Sequence, residues 1–245
     1  MEYFVCSDPH SFTSIMKDAL HEAGWRKYKE DQKIIICGDI FDRGPEPVEM
    51  YQFLKELGDK LIFVRGNHED LFKEAYYEEF KPYGMISSHH HRHNGTDKTI
   101  YKLFNEGLDD EVLGWIFDKS VDYFETEHYI FVHGWIPCTE YDKWGNPLTI
   151  KYQPNWRESD KWEYARWLNG MKMWKQGIIE PDKTIVCGHY HCGYGNLHYH
   201  DEMTSERDDD DEYYLSDHPF IDDGIIALDS CTALTKKVNV IKIED

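Results

Sequence analysis

The sequence lacks the features of secreted, membrane-spanning and nucleic-acid-coating proteins. No stretch approaches the roughly 18 apolar residues that a membrane span needs. The first residues do not form a basic region followed by an apolar core, so no signal peptide is visible and a cytoplasmic location is expected. Basic residues are also scarce: 27 Lys and Arg stand against 47 Asp and Glu, for a net charge of −20. Such a charge repels nucleic-acid backbones, although bound divalent cations would reverse its sign locally.

Cysteines are too scattered to indicate a disulfide framework. There are six, and Cys37 and Cys187 lie inside apolar runs. This usage is typical of small buried side chains in a reducing compartment. The segment Cys187-Gly-His-Tyr-His-Cys192 also differs in spacing from the C-x2-C pattern of zinc sites, so Cys187 is interpreted as a core thiol.

The chain length fits one large domain covering residues 1–245. A chain of this size buries about 70–75% of its unfolded surface. Two insertions are expected within it. One is an exposed lid near residues 84–100, which contains the run His-His-His-Arg-His at 89–93. The other is an acidic surface insertion near 200–217, where residues 208–212 are all acidic.

The hydrophobic pattern predicts a β-α-β-α-β order at the amino-terminal end. The predicted strands are 2–6, 33–37 and 61–64. The first helix ends near Gly24, and the second opens at Pro45 and Pro47 and ends near Gly58. This order favours a parallel sheet with right-handed crossovers. The remaining predictions are mostly helix over 70–120, strands at 129–132 and 184–187, a loop at 137–158, a helix at 160–174, and closing strands at 225–228 and 238–243 paired through residues 230–237.

Five predicted strands end in side chains that bind metals. The central run is Ile34-Ile35-Ile36-Cys37-Gly38-Asp39. Here a buried strand ends at a glycine, and a carboxylate follows directly. Open α/β folds bind their ligands at this edge of the sheet. In a parallel-rich sheet these side chains would converge. They are Asp8 with His10, Asp39, Asn67 with His68, His133, and His189 with His191.

As an ordered set, these segments resemble the motifs of the calcineurin-like metallophosphoesterases. The matching segments are Asp8-x-His10, Gly38-Asp39-x-x-Asp42-Arg43-Gly44, Gly66-Asn67-His68-Glu69, Val132-His133-Gly134 and Gly188-His189-x-His191. They are similar to the phosphoprotein phosphatase and symmetrical diadenosine tetraphosphatase branch. Two features indicate the bacterial and phage-like members of this branch: the segment Ser7-Asp8-Pro9-His10-Ser11 and the presence of His191. The resemblance implies a four-layer α/β/β/α sandwich.

The resemblance also implies two metal ions. Asp8, His10 and His191 would bind the first, Asn67, His133 and His189 the second, and Asp39 would bridge them. Carboxylate, imidazole and amide ligands suit Mn, which is the expected metal, or alternatively Fe, Zn, Co or Ni. Two cations about 3.5–4 Å apart can share a hydroxide that attacks phosphorus in line. In such a site His68 resembles the general acid, Asp42 its orienting partner and Arg43 a phosphate ligand. Arg166 is the expected second arginine, with Arg157 as the alternative.

Three functions follow from these residues. The first is metal-dependent hydrolysis of phosphomonoesters, including phosphoserine or phosphothreonine in proteins. The second is symmetrical hydrolysis of dinucleoside polyphosphates, for which one of Trp156, Trp162, Trp167 and Trp174 would stack on a base, although packing over the sheet is the simpler explanation of these residues. The third is binding of phosphorylated partners without turnover, against which the His68–Asp42 pair argues. Neither a membrane nor nucleic acid is an expected partner.

Overall fold

The structure is a computed structural model, and it describes residues 1–141, 147–200 and 216–245. The predicted acidic insertion falls mainly on residues 201–215. Its acidic run at 208–212 therefore lies outside the described residues and stays a prediction.

The strands follow the short apolar runs of the sequence. They are β1 (Glu2–Cys6), β2 (Gln32–Cys37), β3 (Leu61–Val64), β4 (Ser120–Val121), β5 (Phe124–Glu125), β6 (Tyr129–Phe131), β7 (Thr139–Tyr141), β8 (Pro147–Ile150), β9 (Thr184–Cys187), β10 (Phe220–Asp222), β11 (Ile225–Ala227) and β12 (Ile241–Glu244).

The helices lie mostly between these strands. They are α1 (Thr13–Glu22), α2 (Pro47–Leu57), α3 (Asn67–Glu74), α4 (Lys81–Tyr83), α5 (His89–Asn94), α6 (Thr96–Asn105), α7 (Asp109–Lys119), α8 (Trp162–Ala165), α9 (Gly170–Lys175), α10 (Cys192–Tyr199) and α11 (Thr232–Thr235). A π-helical segment, Ala75–Phe80, joins α3 to α4, and short 3₁₀ helices occupy Gly58–Lys60 and Trp156–Glu158.

Ten strands form two five-stranded sheets. The first has the order β12-β1-β2-β3-β4, and the second has the order β10-β11-β9-β6-β5. Strands β1 to β4 are mutually parallel, and Cys6 pairs with Ile36 while Cys37 pairs with Val64, so the carboxyl ends of β1, β2 and β3 share one edge. In the second sheet β6, β9 and β11 are parallel. Strands β7 and β8 form a separate hairpin.

The two sheets pack face to face with helices outside. Successive strand residues point to opposite faces. In β2, Ile35 belongs to an apolar cluster that joins it to Val186 and Leu228 of the second sheet. Its neighbours Ile34 and Ile36 pack instead with the helical residues Met16, Leu20, Met50 and Leu54. On the outer face of the second sheet, Ile130 and Ile185 pack with Trp135, Trp156 and Met171. The predicted four-layer α/β/β/α arrangement is confirmed.

The closing strands do not pair with each other as predicted. Strand β11 pairs with β9 and β10, whereas β12 pairs antiparallel with β1 in the other sheet. An apolar run determines that a strand forms, but its partner depends on long-range packing. The chain between them contains α11 and crosses from one sheet to the other.

Two further expectations are corrected within the second half. The predicted loop at 137–158 contains β7, β8 and a 3₁₀ helix. The predicted helix at 160–174 is two short helices, α8 and α9. Asn169 separates them, and its side chain caps α9 by accepting a hydrogen bond from the Lys172 N–H.

Cysteines in the described part of the chain are all free and buried, as expected. Among the described residues, no helix combines the length and the apolar composition that crossing a bilayer requires.

Candidate metal centre

The site forms where the strands of both sheets end. Asp8 and His10 follow β1, Asp39 follows β2, and Asn67 and His68 open α3 directly after β3. From the second sheet, His133 follows β6 and His189 follows β9. All seven side chains are buried or half-buried. The predicted convergence of strand ends is therefore what the structure shows.

Six of the site residues adopt the left-handed backbone conformation. The φ angles are 51° for Asp8, 46° for His10, 54° for Asp39, 71° for Asp42, 57° for Arg43 and 65° for His189. This conformation costs about 1–2 kcal/mol for a residue with a side chain. It lies in the turns that follow the ends of β1, β2 and β9. Strain of this kind concentrates at functional sites.

Asp39 lies at the centre of the site, between two imidazoles. Its Oδ2 atom is 3.8 Å from Nε2 of His10, and its Oδ1 atom is 3.3 Å from Nε2 of His133. The donor atoms form two groups that share Asp39, one with His10 and His68 and one with His133 and His189, and the atoms of each group lie within 4.8 Å of one another. One carboxylate thus presents a separate oxygen to each of two ligand clusters.

Backbone carbonyls fix the orientation of these imidazoles. Nδ1 of His10 lies 2.9 Å from the Phe41 carbonyl, and Nδ1 of His133 lies 2.8 Å from the Cys37 carbonyl. A carbonyl only accepts, so in each neutral ring the proton is on Nδ1 and the lone pair of Nε2 faces the centre of the site. Hydrogen bonds of this type orient histidine ligands in metal sites.

Three acceptor atoms then face one another on the His133 side. Nε2 of His133 is 2.8 Å from Oδ1 of Asn67 and 3.3 Å from Oδ1 of Asp39. Burial, followed by the charge of His189, lowers the pKa of His133 well below its usual range, so Nε2 carries no proton near neutral pH. A lone pair, an amide oxygen and a carboxylate oxygen at these separations repel one another unless a cation lies among them. The residues therefore fit a metal ion.

The buried charges fit metal ions as well. Burial raises the pKa of Asp8 and of Asp39 well above the usual range, and the next largest causes are other carboxylates, namely Asp229 for Asp8 and Asp8 for Asp39. Burial likewise lowers the pKa of His10, and it lowers that of His189 to about 4. Clustered buried carboxylates beside neutral imidazoles are the donor set of first-row divalent cations.

Asp8 and His191 lie on neighbouring turns and belong to neither of the two donor groups. Oδ2 of Asp8 accepts a 3.0 Å hydrogen bond from the His189 N–H, which ties the turn after β1 to the turn after β9. Nε2 of His191 lies 3.8 Å from Oδ2 of Asp229, a buried carboxylate that the sequence analysis missed. Asp229 follows the apolar run of β11 as Asp39 follows that of β2, so the strand-end signal was present in the sequence.

His68 and Asp42 form a buried hydrogen-bonded pair beside these ligands. Nδ1 of His68 is 2.8 Å from Oδ2 of Asp42, and the Thr96 hydroxyl donates to the same oxygen at 2.7 Å. Burial, then Arg43 and His90, lowers the pKa of His68 to about 3, while burial raises that of Asp42 to about 7. Because one hydrogen bond joins them, the pair takes up a proton as a unit. Nη2 of Arg43 lies 3.4 Å from Nε2 of His68.

Glu69 holds two of the turns together. Its carboxylate is fully buried and accepts hydrogen bonds from the N–H groups of Gly66, Asp39 and Ile40, at 2.7, 3.0 and 3.0 Å. These groups belong to the turns after β3 and β2, which carry Asn67 and Asp39. No role for Glu69 was evident from the sequence, although this residue lies in the Gly-Asn-His-Glu segment.

Both candidate second arginines are paired with carboxylates. The terminal nitrogens of Arg166 contact Asp70, at 2.6 Å, and Asp122. Arg157 donates to Glu125 and Glu180. A phosphate contact by Arg166 stays a prediction.

The expected lid region adjoins the site. Residues 89–94 form α5 rather than a loop, and His91 is buried 3.7 Å from carboxylate oxygens of Glu74 and Glu79. A Cβ at Gly95 would lie 2.9 Å from the backbone nitrogen of Arg43. The segment therefore contacts the Asp42–Arg43 turn, and its function as a lid stays a prediction.

The sequence model of one protein family, described as calcineurin-like phosphoesterase, matches residues 1–218 of the chain. The chain belongs to this family. The resemblance inferred from the motifs is thus confirmed, and with it the expectation of a phosphoesterase fold.

Curated relatives match part of the chain. The symmetrical bis(5'-nucleosyl)-tetraphosphatase of Psychromonas ingrahamii is 30% identical over 116 residues, which are 47% of this chain and 37% of the relative. A protein of the same name from Marinomonas sp. is 25% identical over 118 residues, or 47% of this chain and 38% of the relative. The matched region thus spans less than two fifths of the length of these relatives. Among solved structures, the cold-active protein-tyrosine phosphatase of a psychrophilic Shewanella superimposes with a TM-score of 0.55 at 13% identity, covering 100% of this chain and 75% of that one. This likeness concerns the fold alone.

Proposed function

We propose that the chain is a two-metal phosphoester hydrolase. The observation that carries the proposal is the position of Asp39, which offers one oxygen to His10 and the other to His133. A carboxylate shared in this way suits a pair of neighbouring cations. Such cations, when bound, activate water and neutralise charge on a phosphoryl group.

The proposed ligands divide between the two halves of the fold. Asp8, His10 and His191 would hold one metal ion, Asn67, His133 and His189 the other, and Asp39 both. Two of these residues gain support from hydrogen bonds that fix their lone pairs toward Asp39, namely His10 and His133. Mn is the proposed metal, and Fe, Zn, Co and Ni are chemically compatible with the same ligands.

His68 and Arg43 would act on the substrate. Nε2 of His68 lies 3.8 Å from Oδ2 of Asp39, so it faces the proposed metal positions, while Nδ1 donates to Asp42. In this orientation Nε2 can deliver a proton to the leaving oxygen, and Asp42 stabilises the charged ring. Arg43, beside His68, would contact phosphoryl oxygens.

Dinucleoside polyphosphates are the substrates that we propose. From the sequence alone, phosphomonoesters, including phosphoserine and phosphothreonine, are the first candidate. The names of the curated relatives favour the second candidate instead. The chemistry of the site serves both classes, because each reaction breaks a P–O bond with protonation of the leaving oxygen. Phosphomonoesters remain the alternative substrates.

A protein that binds phosphorylated partners without turnover is the competing class. It would need the metal ligands but not a buried acid such as the His68–Asp42 pair. Purified protein with Mn²⁺ is expected to hydrolyse diadenosine tetraphosphate, and side-by-side assays with p-nitrophenyl phosphate and a phosphopeptide rank the substrates. The hydrolysis rate of His68→Asn is expected to be about 10²–10⁴-fold lower than that of wild type, and the variant should keep its metal ions. A wild-type protein that binds two metals and hydrolyses none of these substrates supports the binding class.

A single domain over residues 1–245 and a cytoplasmic location belong to the same proposal. The apolar cluster that joins Ile35 of one sheet to Val186 of the other supports a single domain for the described residues. Expression of the chain with a reporter of cellular location tests the second point.

A further inference from the structure

The four tryptophans of residues 156–174 have different environments. Trp156 is fully buried and Trp162 is 6% exposed, and both pack against Tyr123. Trp174 lies against Phe220, and its indole N–H donates to the Asp223 carbonyl. Trp167 differs, since 47% of it is exposed. Core packing therefore accounts for the first three and leaves Trp167 unexplained.

Trp167 is attached to the candidate metal centre. Its ring centroid lies 5.8 Å from that of His189, with an interplanar angle of 83°. The indole thus lies beside a proposed ligand, while about half of the residue is open to solvent.

Tyr190 flanks the same imidazole. Its ring centroid is 6.2 Å from that of His189, and the residue is 39% exposed. On its far side it contacts Tyr194 edge to face, at 5.4 Å, which limits its motion. Two exposed aromatic rings therefore border the half-buried His189, and we call Trp167 and Tyr190 the aromatic rim.

We propose that the aromatic rim binds a nucleobase of the substrate while its phosphates lie at the metal centre. This inference rests on the proposed function of that centre. A base is separated from its nearest phosphate by one sugar, so a nucleotide held at His189 by its phosphate can reach either ring. Stacking also suits a chain of net charge −20, because it adds affinity for a polyanionic substrate without adding basic residues.

A purely structural function for the rim leads to other expectations. Rings that only shield His189 from water would change metal binding and affect every phosphorylated ligand alike. Rings that bind a base would discriminate AMP from inorganic phosphate, which has the same anionic group and no base. Comparing these two ligands separates the alternatives.

The test is calorimetric titration of the Mn²⁺-loaded protein with AMP and with inorganic phosphate. For wild type we expect AMP to bind more tightly than phosphate. Trp167→Ala is expected to weaken AMP binding about 10-fold and phosphate binding less than about 2-fold, with unchanged manganese content, and Trp167→Phe to recover most of the loss. Tyr190→Ala should show the same selectivity. Tyr28→Ala is the control, since Tyr28 is 79% exposed and precedes β2, at the edge of the sheet opposite the site.

Hydrolysis gives a second measurement. In Trp167→Ala, KM for diadenosine tetraphosphate should rise about 10-fold while kcat changes little. The inference would be overturned if Trp167→Ala lost equal affinity for AMP and for phosphate, or if it lost manganese. It would also be overturned if the wild-type protein bound AMP no more tightly than phosphate. A wild-type protein that prefers AMP through Trp167 and yet hydrolyses no phosphoester would overturn the proposed function and leave the aromatic rim standing.

Discussion

Nδ1 of His68 lies 2.8 Å from Oδ2 of Asp42, and both side chains are buried beside the candidate metal ligands. The contact determines which ring nitrogen faces the site. With Nδ1 donating to the carboxylate, Nε2 points toward Asp39, from which it is 3.8 Å distant. Nε2 is therefore available for the proton transfer that we propose, and the hydrogen bond to Asp42 keeps Nδ1 from binding a metal ion.

Replacing Asp42 by Asn should reveal this proton transfer through its dependence on the leaving group. The variant keeps a hydrogen-bond acceptor but loses the charge that stabilises protonated His68. We expect kcat to fall about 10²-fold for phenyl phosphate and less for p-nitrophenyl phosphate, whose leaving oxygen needs little protonation. Steady-state kinetics with both substrates measure the difference. An equal loss on both would argue that Asp42 serves structure alone.

Metal content should depend on Asp39 more than on any single histidine. Asp39 contacts both ligand groups, so Asp39→Asn is expected to lower the bound metal from about two ions per chain to less than one, whereas His10→Ala should remove about one. Elemental analysis after gel filtration gives the stoichiometry. His21→Ala, at an exposed histidine of α1, is the control. Two full sites in Asp39→Asn would contradict the bridging position.

Removing the metals with a chelator should also destabilise the fold. The proposed ions would bind the folded state, in which Asp8, Asp39, His10 and His133 have already converged, so their binding free energy would add to the free energy of unfolding. We expect a lower Tm after chelation and recovery on adding Mn²⁺. A Tm that is unchanged by chelation in wild type would count against resident metal ions.

Two glycines with similar backbone angles allow strain and crowding to be separated. Gly38 has a φ of 82°, and a Cβ there would overlap Nδ1 of His133 and lie 2.7 Å from the Gly66 Cα. Gly24 has a φ of 101° and nothing within 4 Å of its Cβ position. Gly24→Ala should therefore lose only about 1–2 kcal/mol of unfolding free energy. Gly38→Ala should lose more and should also displace His133, which lowers metal content. Urea denaturation and metal analysis measure both effects, and equal behaviour of the two variants would refute the close approach.

The sequence could predict the site because the signal was local. Five of the apolar runs that become strands are followed by a metal-binding side chain, and the bounds of β1, β3 and β9 agree with the hydrophobic pattern. The same rule applied to β11 would have found Asp229. Convergence then followed from parallel strands sharing one edge.

What the sequence could not predict depends on long-range geometry. The partner of β12 is β1, more than 230 residues away in the chain, and no local pattern encodes that choice. The left-handed turns at Asp39 and His189 are also hidden, because residues other than glycine rarely adopt them. The ion pairs of Arg166 with Asp70 and Asp122 likewise connect three separate segments.

An ion-pair network far from the metal ligands should control part of the acid stability. Arg157 donates to both carboxylate oxygens of Glu125, at 2.8 and 2.6 Å, and Lys183 lies 2.9 Å from the same group. The hydrogen bond from Arg157 is the largest cause that lowers the pKa of Glu125 from 4.5 to about 2. Folding therefore favours the ionised form of this carboxyl group.

The sign of the pH dependence follows from that direction. A depressed pKa contributes stability that is fully present above the unfolded value of 4.5 and is lost as the pH falls toward about 2. Glu125→Gln should thus cost about 1 kcal/mol of unfolding free energy at pH 7, since solvent screens part of the interaction, and this cost should shrink between pH 5 and pH 2. Urea denaturation across this range measures the difference from wild type, with Glu30→Gln at an exposed position as the control. A difference that grows on acidification would show that Glu125 is protonated in the folded protein and that the network stabilises it as a neutral group.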